Sequence, residues 1–211
     1  MAAPTPVDTR QNLMQIAIEL IWHSNYDNVG IAEICKQAGV TKGAFYHHFV
    51  SKADLFVRAC VSEWESVRSR MDEDILAPRF SAPQQLENVI ELLLEQQGCA
   101  DGRTQIHGCP FFTAAAQAGC DDVEVRSVAI TMSDNGTAYF TALARNLVAE
   151  DCLLSEIDAE QTGRILQQFV LGLLMHGRIH QDVQQMRRDL RQGLYQIVGL
   201  QPRYRQTDVG A

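Results

Sequence analysis

The chain has 211 residues, of which 46% are hydrophobic, and its formal net charge is −8 at pH 7. This composition predicts a globular chain rather than a disordered one. No apolar run approaches the roughly 18–20 residues that a membrane-spanning helix needs, and the first residues lack the basic-then-apolar order of a secretory signal. We therefore expect a cytoplasmic protein without a membrane partner.

The negative charge is unevenly distributed along the chain. Residues 1–60 hold five basic and five acidic residues, so residues 61–211 carry the whole negative surplus. A neutral segment can still bind a polyanion, because phosphate contacts are local and charges are screened beyond ~10 Å. We expect only modest non-specific affinity for DNA.

Hydrophobic periodicity is helical along the whole chain, with no strand pattern and no internal repeat. Asp8 is a suitable N-cap for a first helix, and Gly39 can end the second helix in a left-handed conformation. The predicted fold class is all-α, with about nine helices. The expected divisions are a three-helix helix-turn-helix head over 1–52, a helical-bundle body over 53–201, and a loose tail over 202–211.

The strongest pattern is the stretch 31–52, IAEICKQAGVTKGAFYHHFVSK. Its apolar spacing predicts two short helices joined by a tight glycine turn, with Phe45 and Phe49 as the core pair of the second helix. Small and hydrogen-bonding groups occupy the other face of that helix, and Lys42 and Lys52 flank it where phosphates would lie. An ordinary αα-hairpin has the same periodicity, so spacing alone leaves DNA binding open.

The longer segment IAEICKQAGVTKGAFYHHFVSKADLF resembles the DNA-binding head of the tetracycline-repressor (TetR/AcrR) family of bacterial transcriptional regulators. The resemblance covers about residues 8–56, and the remainder is similar only in being an all-helical ligand-binding and dimerisation body. The chain departs from the family pattern at Gly30, where many members carry a capping Ser or Thr, so the first N–H groups are left to water or to a DNA phosphate.

The resemblance also implies which residues contact DNA. Tyr46 and Lys52 would lie on phosphates, and Gly43 would allow a close approach to the groove. His47 and His48 either read the operator or are simply solvated. The implied DNA-binding residues are Gly30, Thr41, Lys42, Gly43, Ala44, Tyr46, His47, His48 and Lys52.

The resemblance implies a transcriptional regulator, most simply a ligand- or redox-responsive repressor that binds a near-palindromic double-stranded DNA operator as a dimer. The chain lacks nucleotide-binding, metalloprotease and nucleophile-elbow motifs, so we expect no enzyme activity. The six cysteines show no metal-ligand spacing, so no metal and no cofactor are expected. The alternative is a helical adaptor or protein-interaction module without DNA binding.

The segment 165–175, ILQQFVLGLLM, is apolar nearly all round in its second half. A helix of this kind must be covered on more than one side. Either it is buried inside one subunit, or it joins the last helix in a two-fold seam with a second copy. We favour the homodimer seam.

Cys109 stands between Gly108 and Pro110, at the expected start of a short helix. At that position the helix dipole favours a thiolate, and the segment IHGCPFFTAAAQ resembles an electrophile- and oxidant-responsive branch of the family. Cys109 is therefore either a sensor or a small thiol that fills space. The expected effector is an unidentified small molecule or electrophile. Its candidate contacts are Cys109, His107, Phe111, Phe112, Met132, Phe140, Phe169 and His176.

Overall fold

The computed structural model describes residues 8–24, 26–97, 106–117 and 122–206. Within these ranges the chain forms nine α-helices and no strand, which confirms the all-α prediction. None of the described helices is long and apolar enough to cross a membrane. The helices are α1 (Thr9–His23), α2 (Ile31–Ala38), α3 (Lys42–His48), α4 (Lys52–Arg70), α5 (Ala82–Gln96), α6 (Pro110–Gln117), α7 (Val123–Ala149), α8 (Ala159–His180) and α9 (Val183–Val198).

Local capping marks the start of α1, the end of α2 and the start of α3. Helix α1 follows Asp8, whose carboxylate accepts a hydrogen bond from the backbone N–H two residues later. Gly39 ends α2 with φ +68°, a conformation that glycine adopts without a Cβ penalty. Helix α3 follows Thr41, whose hydroxyl oxygen accepts from the Ala44 N–H at 3.1 Å. These three signals are all visible in the sequence.

The chain divides into two compact units. The first comprises Met1–Glu65 with Pro110–Thr131, and the second comprises Ser66–Cys109 with Met132–Ala211. Helices α4 and α7 therefore contribute residues to both units. The predicted boundary after residue 52 falls inside the first unit, and whether it separates independently folding domains stays a prediction.

Helix α1 packs against α2, α3 and α6 in the first unit. Helices α1 to α4 and the residue that follows α3 bury apolar side chains, which removes large apolar areas from water. The largest of these buried side chains are Leu13, Ile21, Ile34, Phe45, Phe49, Leu55 and Phe56.

In the second unit, α9 packs against α8 and α5 around an apolar core. Helix α4 does not continue as an α-helix towards Pro78. It ends at Arg70, and Met71–Ile75 is π-helical. The Gln85 amide donates to three of the carbonyls that follow the π-helical segment, at 3.2–3.4 Å. It thus gives these backbone carbonyls a hydrogen-bond partner.

A buried polar cluster joins α5 and α9. The Arg191 guanidinium contacts Glu87 at 3.3 Å and Glu91 at 2.8 Å, and the Tyr195 hydroxyl donates to Glu87. Burial, followed by the Glu87 hydrogen bond, raises the pKa of Tyr195 to about 12. The buried Glu87 carboxylate thus meets both a cation and a neutral phenol, which compensates its loss of hydration.

Residues 202–206 make hydrogen bonds to the preceding part of the chain, and the looseness expected of the tail stays a prediction. Pro202–Tyr204 forms a 3₁₀ turn, and the Arg205 guanidinium donates to the Leu200 carbonyl at 2.9 Å. The Gln206 N–H donates to the Tyr195 hydroxyl oxygen at 3.1 Å. These bonds link the segment to α9, and residues 207–211 lie outside the described residues.

Candidate nucleic-acid interface

One side of α3 anchors the helix in the first unit. Phe45 and Phe49 are buried, with ring centroids 5.7 Å apart, as the i, i+4 spacing predicts. Tyr46 sets its ring edge-on against Phe45 at 5.3 Å but remains 57% exposed. The helix is therefore firmly held while its other side faces solvent.

That solvent-facing side carries most of the residues expected to contact DNA. It combines a helix N-terminus, a lysine, a glycine and hydrogen-bonding side chains, which together suit phosphate and base-edge contacts. We call this set the recognition face: Thr41, Lys42, Gly43, Tyr46 and His47, all of them exposed.

Two other predicted residues of α3 are only partly accessible. Ala44 and His48 are half-buried, and the His48 ring stands 5.0 Å from that of His47 in an edge-on arrangement. A Cβ at Gly43 would meet only the Thr41 hydroxyl oxygen, at 3.6 Å. The fold itself therefore tolerates a larger residue at this position, and any need for glycine must come from a binding partner.

Gly30 is the N-cap of α2 and provides no side-chain capping bond. It is exposed, its backbone is extended, and a Cβ there would meet nothing within 4 Å. The first N–H groups of α2 thus have no side-chain acceptor from the cap, in keeping with the departure from the family pattern. A role of Gly30 in binding DNA stays a prediction.

Lys52 is placed differently from the other predicted contacts. It is half-buried, and its ammonium donates to the Tyr26 carbonyl at 2.8 Å. The ammonium also lies 4.1 Å from the centroid of the Tyr26 ring. The structure thus engages Lys52 within the first unit, and its assignment to a phosphate stays a prediction.

Several residues that shape this region were not found from the sequence. The Asn12 amide donates to the Ala38 carbonyl at 3.2 Å and so links α1 to the turn before α3. Val50 is 81% exposed directly after α3, and its N–H donates to Asp54 at 3.0 Å. Val50 could have been noticed in the sequence as a bulky apolar residue next to the helix. The Asn12 contact has no local signal.

The segment before Cys109 is held by two glutamines of the second unit. Gln97 accepts from the Gly108 N–H at 2.8 Å and donates to the Gly108 carbonyl at 3.2 Å. Gln181 makes the same pair of bonds to Ile106, at 2.8 and 2.9 Å. Gly108 has φ +75°, and Cys109 is half-buried immediately before α6.

The other described cysteines are more deeply placed than Cys109. Cys35, Cys60 and Cys152 are buried, and burial raises the pKa of Cys35 and of Cys152. Cys99 and Cys120 lie outside the described residues. Cys109 is thus the most accessible of the described thiols.

The residues expected to contact an effector do not form one described lining. Phe111 and Phe112 belong to the first unit, where Phe111 stands 6.2 Å from the ring of Phe56 and Phe112 is 42% exposed. The remaining candidates, His107, Cys109, Met132, Phe140, Phe169 and His176, belong to the second unit.

Within the second unit these candidates also occupy different surroundings. Phe140 is buried, and the half-buried Phe169 ring lies against the place that a Cβ at Gly193 would occupy. The His107 carbonyl accepts from Arg178 at 3.1 Å. His176 is exposed and stacks on His180, with centroids 4.0 Å apart. Their roles in effector binding stay predictions.

Two short helices at a glycine turn, with the second presenting a polar, basic face, define a helix-turn-helix protein. Residues 13–59 match the family model described as bacterial regulatory proteins, tetR family. Residues 13–59 are thus similar to this family, and the match spans less than half of the chain. Among its relatives is the HTH-type transcriptional regulator AcrR of Shigella flexneri, 38% identical over 66 residues, which are 31% of this chain and 29% of that relative.

A second relative aligns over most of both chains. The HTH-type transcriptional repressor NemR of Escherichia coli strain K12 is 25% identical over 176 residues, 83% of this chain and 86% of the relative. The crystal structure of its reduced form superposes with a TM-score of 0.76 at 20% identity, over 88% of this chain and 94% of that one. A TetR regulatory protein from Rhodobacter sphaeroides gives 0.75 at 20% identity, over 90% and 97%. These two structures support the fold.

Proposed function

We propose that this protein is a DNA-binding transcriptional regulator, and specifically a ligand- or redox-responsive repressor of a near-palindromic operator. The observation that carries the proposal is the recognition face, which α3 presents to solvent while Phe45 and Phe49 anchor its other side. The family match over residues 13–59 supports the same assignment. No catalytic activity is proposed, because the relatives named above are regulators.

The proposed DNA-binding form is a homodimer built on α8 and α9. Helix α8 buries Leu166, Val170 and Leu174 within its own unit but leaves Ile165 42% and Ile179 71% exposed. An exposed apolar face of this kind is typical of an interface. Gly172 lies on the same helix with open space around it, which would let a second helix approach closely.

A dimer explains how a head with little net charge can select a site. Two recognition helices held one helical turn apart, ~34–36 Å, contact two half-sites at once. Any effector that favours a different head spacing lowers operator affinity, and a coupling of ~1–3 kcal/mol between the two sites is ordinary.

The proposed trigger is a small molecule or an oxidant acting near Cys109. In support, Cys109 is half-buried directly before α6, and the glutamine bonds on the preceding residues fix the backbone there. The relative NemR is a repressor whose reduced form has been crystallised. Cytoplasmic location follows from this function as a further part of the proposal.

The direct test of DNA binding is a gel shift with the DNA upstream of the protein's own gene. We expect retardation at low salt that persists in excess unrelated DNA. The binding variant is His47→Ala, on the exposed surface, because a change at the buried Phe45 would disturb the core. The matched control is Glu65→Ala, exposed on α4. Absence of any retarded fragment near the gene would contradict the proposal.

The trigger is tested separately with a thiol-alkylating probe on the native protein at neutral pH. Among the four described cysteines, Cys109 should react first, because Cys35, Cys60 and Cys152 are buried and burial raises the pKa of Cys35 and Cys152. Cys109→Ser should abolish the fast phase and the loss of operator binding that accompanies it. If Cys109 reacts no faster than Cys35 or Cys60, the redox part of the proposal fails.

A further inference from the structure

The helix-turn-helix is closed at its base by two residues that flank it. Tyr26 precedes α2, Lys52 begins α4, and the Lys52 ammonium bonds the Tyr26 carbonyl at 2.8 Å. The same ammonium lies over the Tyr26 ring, 4.1 Å from its centroid. A charge-assisted hydrogen bond and a cation–π contact therefore close the loop that contains α2 and α3.

Tyr26 is itself fixed by the start of α7. Its hydroxyl donates to one oxygen of Asp122 at 3.1 Å, and the other Asp122 oxygen accepts from the Val125 N–H at 3.2 Å. The Tyr26 side chain is buried and packs edge-on against Phe56 at 5.2 Å. Burial and then Asp122 raise the pKa of Tyr26 far above its ordinary value, so its hydroxyl stays a hydrogen-bond donor.

These contacts place Lys52 in a setting that differs from that of Lys42. Burial lowers the pKa of Lys52, and the nearby carboxylates of Asp27 and Asp122 oppose that shift. Its ammonium is engaged with a carbonyl and a ring of its own unit, whereas Lys42 is exposed on the recognition face. A lysine that neutralises a phosphate must present its ammonium to the DNA surface. Lys42 meets that condition directly.

We propose that Tyr26, Lys52 and Asp122 form a clasp that positions α3 on DNA, and that Lys52 is a positioning residue rather than a phosphate ligand. The inference rests on the proposed DNA-binding function. Asp122 directly precedes α7 and accepts from the Val125 N–H, so the clasp makes the first turn of α7 part of the arrangement that sets α3. A displacement of that turn removes the acceptor of the Tyr26 hydroxyl and loosens the base of the helix-turn-helix.

The two lysines give a matched test. Operator affinity is measured by fluorescence anisotropy at several salt concentrations, at a temperature where circular dichroism shows every variant to be folded. Lys42→Met should reduce the slope of log affinity against log salt by about one. Lys52→Met should weaken binding about three- to tenfold without changing the slope, since it removes one internal hydrogen bond.

Conservative replacement tests whether the clasp geometry can be rescued, while the salt slope separates positioning from loss of charge. Lys52→Arg should retain operator affinity, because a guanidinium can also stack on Tyr26 and donate to its carbonyl. The clasp is overturned if Lys52→Met reduces the salt slope by about one, as Lys42→Met does. It is also overturned if Lys52→Met leaves operator affinity unchanged.

The link to α7 is tested with Tyr26→Phe, which removes the hydroxyl but leaves the ring and the carbonyl that Lys52 contacts. Tyr26→Phe should weaken operator binding with an unchanged slope, and its effect should not add to that of Lys52→Met. Fully additive effects would reject the clasp. If the wild type binds no DNA, the proposed function fails. The coupling within the clasp is then tested by the free energies of unfolding of Tyr26→Phe, Lys52→Met and the double variant. Additive losses of unfolding free energy would reject the clasp.

Discussion

The two units hold their polar groups in opposite ways. In the second unit, Arg191 and Glu87 are both buried, and the cluster connects two helices across an apolar core. In the first unit, Lys52 is half-buried and shares its ammonium with a backbone carbonyl and an aromatic ring. The buried cluster can hardly change without exposing an uncompensated charge, whereas the half-buried contact can open at modest cost. The contact in the first unit is thus the one that can open more readily.

The largest expected effect is in the buried cluster. Arg191→Met should destabilise the protein by about 3–5 kcal/mol, because Glu87 would be left buried without its cation. Chemical denaturation at fixed protein concentration measures this loss. Arg79→Met is the matched control, since its pair with Asp74 is exposed and should contribute about 0–1 kcal/mol. A loss below about 1 kcal/mol for Arg191→Met would show that the cluster is not what fixes this unit.

Close packing in the second unit gives the next effect. A Cβ at Gly163 would stand 2.8 Å from the Thr141 backbone nitrogen. Gly163→Ala should therefore destabilise by about 1–3 kcal/mol, since backbone must move to admit the methyl group. Gly172→Ala on the same helix should be neutral or stabilising in the isolated subunit, because nothing lies within 4 Å of its Cβ. Equal unfolding free energies for the two variants would contradict this packing.

The first unit should respond differently to the same substitution. Gly43→Ala should raise the free energy of unfolding by about 0.5–1 kcal/mol, since its Cβ has room and alanine favours a helix. Operator binding should nevertheless weaken if Gly43 packs against DNA. Anisotropy titrations and denaturation of the same preparation measure both quantities. Unchanged operator affinity would show that Gly43 does not pack against DNA.

The smallest expected effect concerns the start of α2. Gly30→Ser supplies the capping oxygen that this helix lacks and should stabilise by a few tenths of a kcal/mol. Thermal unfolding monitored by circular dichroism is sensitive enough if wild type and variant are measured in parallel under the same conditions. A lowered melting temperature would mean that the extended backbone at residue 30 does not accept a serine cap.

Local features made much of the first unit predictable from the sequence. Gly39, Thr41 and the Phe45–Phe49 spacing each act within a few residues, so they indicated the turn, the start of α3 and its buried side. The clasp could not be found in this way, because Tyr26 and Asp122 are 96 residues apart and neither lies in a motif. The resemblance implies a phosphate contact for Lys52 and gives no sign of its contact with Tyr26.

The second unit was predictable mainly as a set of helices. The contact between Glu87 and Arg191 joins residues 104 apart, and no spacing rule relates them. The π-helical end of α4 depends on how the chain packs after it, so helical periodicity alone gives no signal for it. The aromatic residues expected to contact an effector were grouped by their chemistry, and their division between two units has no signal in the sequence.

The central claim is that two copies of the recognition face occupy successive major grooves of one operator. Hydroxyl-radical footprinting of the wild type on its own upstream DNA tests it most directly. We expect two protected patches on one face of the duplex, centred about 10–10.5 base pairs or a multiple of this apart, and both weakened together in Lys42→Met. A single patch without a partner, or weakening of only one patch in Lys42→Met, would contradict this arrangement.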